Sequence, residues 1–299
     1  MPLFFSLSHA APDTATPASI IVNNASDVMG GQRPKLPVFP KLALKPGFLR
    51  GFARDSAGKP LVNARILISS PAIWGRSGSQ SVRTDARGYY EIKPLSGGCT
   101  VRFAGYSTSY GGKIYGLPLH AVDGQLDSID MAGEIENFVL LAYGFVSRAA
   151  VADSGYASSS YYGGAFTLSY SLKRPDEMFA GPSALPEGGE IEVTFTPRGS
   201  LLDGSAGHIL VIRKKLEGAY FSVNNIPIGC YALRVKLLSH GGGLLRVSEQ
   251  APAGSEALTP AQADGEVVFQ PRAERSGDLT CIVQVGGMRR HELWLEPVS

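Results

Sequence analysis

The sequence predicts an all-β protein: two β-sandwich domains of immunoglobulin size behind an extended N-terminal tail. Three observations predict it. Apolar residues recur at every second position in short runs, the pattern of half-buried strands. Turn formers separate the runs, with 36 Gly and 20 Pro among 299 residues. No capped 3.6-residue periodicity is present; residues 260–263 would make one helical turn at most. The chain is too long for one sandwich and fits two with a tail.

Residues 1–46 read as the tail. The stretch 33–46 carries Pro34, Pro37, Pro40 and Pro46, which favours an extended chain. Ile20-Ile21-Val22 is apolar and β-branched, and suits a strand added to a neighbouring sheet. From residue 48 the period becomes two. Strands are predicted at 48–54, 62–69, 81–84, 89–92, 100–103 and 138–141, forming a first sandwich over 47–145. A Ser/Tyr/Gly-rich linker covers 146–164, with the boundary near 144–160. The second sandwich, 165–299, has predicted strands at 166–172, 191–196, 208–214, 220–223, 231–237, 244–248, 267–270, 279–285 and 293–296. An internal echo joins the halves: Tyr90-x-Ile92 then Gly98-Cys99 matches Phe221-x-Val223 then Gly229-Cys230 at equal spacing. Two copies of one topology would produce it, and so would chance likeness of turn residues. The tail and residues 144–164 are expected to be the protease-sensitive stretches.

Residues 47 to about 141 carry a further pattern: Gly51 and Asp55, then Gly58-Lys59-Pro60-Leu61-Val62-Asn63-Ala64-Arg65-Ile66, then Thr84-Asp85-Ala86-Arg87-Gly88-Tyr89-Tyr90, then Leu95 and Gly98. Gly58 supplies a turn conformation costly for other residues, and Pro60 fixes the start of the next strand. Asp85 can accept from amides of its own turn, which Gly88 closes. This segment resembles the carboxypeptidase regulatory-like domain, a prealbumin-like sandwich. The resemblance implies an accessory module that supports, spaces or binds and has no catalytic centre. The long insertion at 106–136 departs from the family pattern.

Composition and motifs exclude several functions. A net charge of +2, with basic residues scattered apart from Lys214-Lys215 and Arg289-Arg290, argues against nucleic acid as a partner. No apolar run reaches the length of a membrane span. Leu3-Phe4-Phe5-Ser6-Leu7 followed by Ser8-His9-Ala10 resembles the end of a signal peptide but lacks a basic start. A secreted or envelope location is the favoured expectation. Cys99, Cys230 and Cys281 are an odd set without C-x-x-C spacing, read as small buried hydrophobes, with one disulfide open if the protein is exported. A zinc carboxypeptidase needs a closely spaced His and Glu plus a distant His. None of His9, His120, His208, His240 and His291 begins H-x-x-E, and His291-Glu292 would point to opposite faces of a strand. The Asp85-x-x-Gly88-x-Tyr90 turn also resembles intradiol ring-cleaving dioxygenases, but the H-x-H pair that their iron needs is missing. There is no G-x-S-x-G elbow and no phosphate loop. The expectation is no enzyme and no cofactor.

Candidate sites are few. Tyr106, Tyr110 and Tyr115 lie in one Tyr/Ser/Gly stretch, and Tyr156, Tyr161 and Tyr162 in another. Tyrosines in such loops suit recognition and stack on sugar rings, or they fold back as packing. Asp123, Asp127, Asp130 and Glu134 offer oxygen ligands for Ca²⁺, although their spacing fits no calcium loop and a solvated acidic loop explains them better. Lys45 and Asn137 flank the first and last strands of the first sandwich, with Glu91 between, a set from which an isopeptide bond could form. The functional expectation is a non-catalytic bacterial binding or display protein with a protein or glycan partner. The alternatives are a stalk or assembly subunit that uses the tail for strand addition, and an accessory module of a separately encoded enzyme.

Overall fold

The computed structural model describes residues 20–22, 25–69, 78–94, 99–110, 113–123, 128–129, 132–145, 161–173, 184–239, 241–248, 266–269 and 291–297. Among these residues the protein is all-β, with no helix. The tail supplies β1 (Ile20–Val22) and β2 (Ala25–Asp27). The first half then builds β3 (Leu49–Asp55), β4 (Arg65–Ser69), β5 (Ser79–Arg83), β6 (Tyr89–Ile92), β7 (Cys99–Tyr110), β8 (Lys113–Pro118), β9 (His120–Ala121), β10 (Ser128–Ile129), β11 (Glu134–Ile135) and β12 (Phe138–Leu140). The second half builds β13 (Gly164–Ser169), β14 (Leu172–Lys173), β15 (Leu185–Pro186), β16 (Glu190–Pro197), β17 (Leu210–Lys215), β18 (Tyr220–Ile226), β19 (Tyr231–Leu237), β20 (Gly243–Ser248), β21 (Glu266–Phe269) and β22 (His291–Pro297). The strand predicted at 279–285 lies outside the described residues, as do Leu95, Gly98 and Cys281.

In the first half, β10-β7-β4-β5 with β8 faces β11-β3-β12-β9 with β6. Side chains alternate, so Ile66 and Ile68 of β4 and Tyr90 and Ile92 of β6 meet Leu49, Phe138 and Cys99 in one core. Two sequence features explain the close fit of the sheets. A Cβ on Gly51 would lie 1.8 Å from the Glu136 carbonyl oxygen, which also accepts the Tyr90 hydroxyl at 2.7 Å. Asp85 Oδ1 accepts the amides of Arg87 (2.8 Å) and Tyr89 (2.9 Å), and Gly88 closes that turn at φ +73°.

The second half repeats the pairing plan. In the first, β3 pairs antiparallel with β6 and parallel with β12, while β4 pairs antiparallel with β5 and β7. In the second, β13 pairs antiparallel with β18 and parallel with β22, while β16 pairs antiparallel with β17 and β19. The sequence echo falls on matching strands, β6 to β7 and β18 to β19. The halves differ in closure: β20 pairs with β22, which joins the second pair of layers into one continuous sheet. Ile191, Val193 and Phe195 on alternate positions of β16 face its core.

The insertion at 106–136 is built as strand more than the sequence reading expected. β7 runs on to Tyr110, pairs with β8 as a hairpin, and β9 and β11 join the opposite sheet. Tyr and Thr favour a pleated surface, and pairing decides the matter where composition suggested loop.

The tail also departs from the sequence reading. β1 does form a strand, as a hairpin with β2, and β2 runs parallel to β18 of the same chain. Val28 and Met29 enter the second core. Asp27, 1% exposed, accepts the amides of Met29 and Gly31 and the Asn225 Nδ2, each at 2.9 Å. Residues 25–29 are therefore docked, and among the described residues the Pro-rich run beyond Arg33 remains extended. The exposed Lys41 lies in that run. Limited trypsin cleavage after Lys41 is expected to leave the N-terminal fragment bound. The two pieces should co-elute on size-exclusion chromatography and part only in denaturant; release under native conditions would show that the tail is undocked.

Candidate functional site

The two cores meet around residues 141–145. Gly144 donates its amide to Asn225 Oδ1 (2.7 Å) and accepts from the Tyr162 amide (2.9 Å). Ala142 accepts the Ile228 amide at 2.8 Å. Arg33 donates to the Phe145 carbonyl at 2.8 Å and lies over its ring. Tail, linker and second sandwich are thus tied at one place.

The tie positions a cleft of about 700 Å³ at the junction, within the range of roughly 300–1,000 Å³ common for small-ligand sites. The tail contributes Pro34 and Lys35, the β3–β4 turn contributes Asp55, Ser56 and Lys59, β7 contributes Tyr106 and Thr108, the segment after β12 contributes Tyr143, and the 201–205 loop contributes Asp203 and Ser205. Tyr106 leans on the first core and Tyr143 on the second. Ser56 donates to Asp203 Oδ2 at 2.7 Å across the junction, and Ser205 donates its hydroxyl to Oδ1 at 2.6 Å. Asp55 Oδ1 accepts the Lys59 amide at 2.8 Å. Burial, and then the nearby Asp203 charge, raise the Tyr143 phenol above its usual pKa, so it stays a neutral donor. The formal charges of Lys35, Lys59, Asp55 and Asp203 cancel.

The predicted site residues divide. Tyr106 is half-buried in the cleft wall. Tyr110 and Tyr115 lie on the β7–β8 hairpin, opposite Lys113 and Thr108 respectively. Tyr156 lies outside the described residues. Tyr161 and Tyr162 follow the packing alternative: they are 1% and 9% exposed. Tyr161 bridges Phe145, and Tyr162 stacks on His120 with centroids 3.4 Å apart. A Ser/Tyr/Gly composition does not distinguish a loop from a packed seam, which is why the sequence left both readings open.

Of the acidic set, Asp123 is exposed and Glu134 caps its neighbour's amide on β11, while Asp127 and Asp130 lie outside the described residues. Among the described residues no three metal-ligating side chains converge. Lys45 pairs with Glu91, which also accepts the Tyr89 hydroxyl at 2.7 Å. Asn137 spends its Oδ1 on the Phe52 amide at 3.0 Å. Cys99 is buried in the first core and Cys230 is half-buried. Sequence reasoning missed Tyr143, Asp203 and Ser56. Tyr143 sits between apolar residues at a strand end, and Asp203 lies in a turn; only the fold brings them beside Tyr106.

No family model matches the chain, and no curated protein matches it. Among solved structures, it is similar to the Bacillus anthracis TIE protein, with 14% identity, 84% of this chain and 34% of that chain covered, and a TM-score of 0.31. It is similar to a Streptococcal ancillary pilin, with 14% identity, 84% and 62% covered, and a TM-score of 0.23. It is also similar to the C-terminal fragment of the pilus adhesin SpaC from Lactobacillus rhamnosus GG, with 10% identity, 85% and 98% covered, and a TM-score of 0.24. The chain spans about a third of the Bacillus anthracis protein's length. At these scores the likeness assigns no role to this chain.

Two measurements follow from the seam. Tyr161→Ser is expected to cost about 3–5 kcal/mol in chemical denaturation, as for other buried aromatics; a loss below about 1 kcal/mol would place the ring in solvent. Burial lowers the His120 pKa from 6.5 to about 3. The folded state thus holds His120 neutral while the unfolded chain takes up a proton near pH 6.5. Its contribution is complete above pH 6.5 and is lost as pH falls toward 3, at up to about 1.4 kcal/mol per unit. His120→Phe, which keeps a ring against Tyr162, should flatten the stability–pH profile in that window.

Proposed function

We propose that this chain is a non-catalytic binding protein of the bacterial envelope or exterior, and that the junction cleft takes a neutral glycan. The single observation that carries this is the placing of Tyr106 and Tyr143 in one cleft whose formal charges cancel. Aromatic faces stack on the C–H faces of sugars, fixed hydroxyls donate to and accept from their hydroxyl groups, and carboxylate oxygens accept from them. A strongly charged ligand would find no net field here.

Several features support the non-catalytic reading. Among the described residues the cleft lining has no histidine, and its carboxylates accept loop hydrogen bonds, Asp203 from Ser56 and Ser205 and Asp55 from the Lys59 amide. A general base must be within reach of a substrate proton and free to accept it. We read the first sandwich as a carboxypeptidase regulatory-like domain, on the strength of Gly51, Gly58-Lys59-Pro60 and the Asp85–Gly88 turn. The signal-like run Leu3–Leu7 supports export.

The test is a glycan array probed with the full chain, followed by calorimetry on the sugars retained. Tyr106→Ala and Tyr143→Ala should each weaken binding at least tenfold while circular dichroism stays unchanged. Tyr220→Ala, an exposed tyrosine outside the cleft, should leave affinity intact. Retention of no sugar, or of sugars that bind both cleft variants normally, would remove the reading.

A further inference from the structure

Five segments wall the junction cleft, and four are fixed by hydrogen bonds of their own. β7 is held in its ladder with β4. In the β3–β4 turn the Gly58 amide donates to the Asp55 carbonyl at 3.0 Å, and in the 201–205 loop the Leu201 amide donates to the Ser205 carbonyl at 2.8 Å. The segment carrying Tyr143 is fixed by the bond from the Gly144 amide to Asn225. The fifth wall, Pro34 and Lys35, is held differently.

The chain around that wall is an arch with firm ends. Upstream, Asp27 is locked to Asn225, and the Gln32 amide donates to the Met29 carbonyl at 3.0 Å. Downstream, Arg50 donates to the Ala43 carbonyl and Lys45 pairs with Glu91. Between these ends, none of the described residues hydrogen-bonds with residues 34–42. The arch rests on side-chain contacts alone. Arg33 donates to the Phe145 carbonyl and lies over its ring. Pro34 lies 3.3 Å from where a Cβ on Gly144 would sit, and Pro37 lies 3.7 Å from the same point on Gly58. These two prolines are three residues apart, one turn of a polyproline helix, so they turn the same face inward. Pro37, Phe39 and Leu42 are half-buried, while Lys35, Leu36, Val38 and Lys41 are exposed.

A segment that lacks backbone hydrogen bonds and buries little apolar surface opens locally at a small fraction of the global stability. Its prolines keep it straight, so it lifts as a unit instead of collapsing into the space beneath it. The two halves cannot supply that opening, because Ser56–Asp203 and the seating of Ile228 in the first core hold them together. We propose that residues 33–42 are a lid on the junction cleft, latched by Arg33 on Phe145 and lifted as one stiff unit to admit the ligand. The proposal rests on the cleft being the binding site, and its first test needs no ligand.

That test is the initial rate of trypsin cleavage after Lys35 in the full chain. Cleavage requires the segment to leave the cleft, so its rate follows the open population. Arg33→Ala should raise the rate about tenfold or more. The 3.7 Å between the Pro37 Cβ and a Cβ on Gly58 is the spacing of a disulfide. The doubly substituted chain, Pro37→Cys with Gly58→Cys, should therefore lock the lid on oxidation and cleave about tenfold more slowly than its own reduced form. Equal rates in the Arg33→Ala and unsubstituted chains, or equal rates in a chain with the 37–58 disulfide formed and in its reduced form, overturn the lid. The second test uses the sugars retained on the glycan array. The disulfide should slow their association about tenfold, as for a site reached through a gate, and an unchanged association rate overturns the gating. If no sugar is retained, the glycan reading fails and the cleavage rates alone decide the lid.

Discussion

The junction depends on one buried carboxylate. Asp27 is almost without solvent, and a charge in that position is tolerated only when hydrogen bonds replace its water. The Met29 and Gly31 amides supply two, from the turn that Asp27 itself nucleates, and Asn225 supplies another from 198 residues away. Asn225 reaches it from a left-handed backbone, φ 63°, a conformation that asparagine accepts more readily than most residues. Its amide oxygen then takes the Gly144 amide. Hydrogen bonds to a charged group are worth about 1.5–3 kcal/mol each, and removing a partner from a buried charge costs about 3–5 kcal/mol. Tail, linker and second sandwich must therefore arrive together, and Tyr143 takes its place because its neighbour Gly144 is fixed.

The repeated pairing plan explains why the tail is needed in one half only. β13 and β3 are equivalent, and so are their antiparallel partners β18 and β6. Each partner has an outer edge, and an open edge invites unwanted strands. β18 is covered by β2. Among the described residues β6 pairs with β3 alone; its Glu91 gathers Lys45, Arg50 and the Tyr89 hydroxyl. One edge is closed by a strand and the other is guarded by charge, so equivalent topology leads to different surfaces.

Legibility in the sequence followed the range of the interaction. Strands such as β4, β16 and β19 alternate over five to eight residues, so their period shows directly. The Asp85–Gly88 turn was readable because donor and acceptor lie within four residues. β1, β2, β9 and β11 span two or three residues and carry no period of their own; pairing with distant strands makes them. Tyr161 and Tyr162 looked like loop residues because their burial depends on Phe145 and His120, which composition does not reveal. The cleft was legible only as Tyr106, since Tyr143 and Asp203 join it through contacts formed between the halves.

The cleft's rigidity follows from the same contacts. Ser56 and Asp203 join the β3–β4 turn to the 201–205 loop, the Leu202 amide donates to the Ile228 carbonyl, and Ile228 packs into the first core. A wall built from both halves would open if the halves moved independently; these ties oppose that. A ligand entering a site of this kind orders few side chains, so less of its contact energy is lost to entropy. Selectivity would then come from hydroxyl geometry rather than from net charge, because each carboxylate is already oriented by a serine or a backbone amide before any ligand arrives.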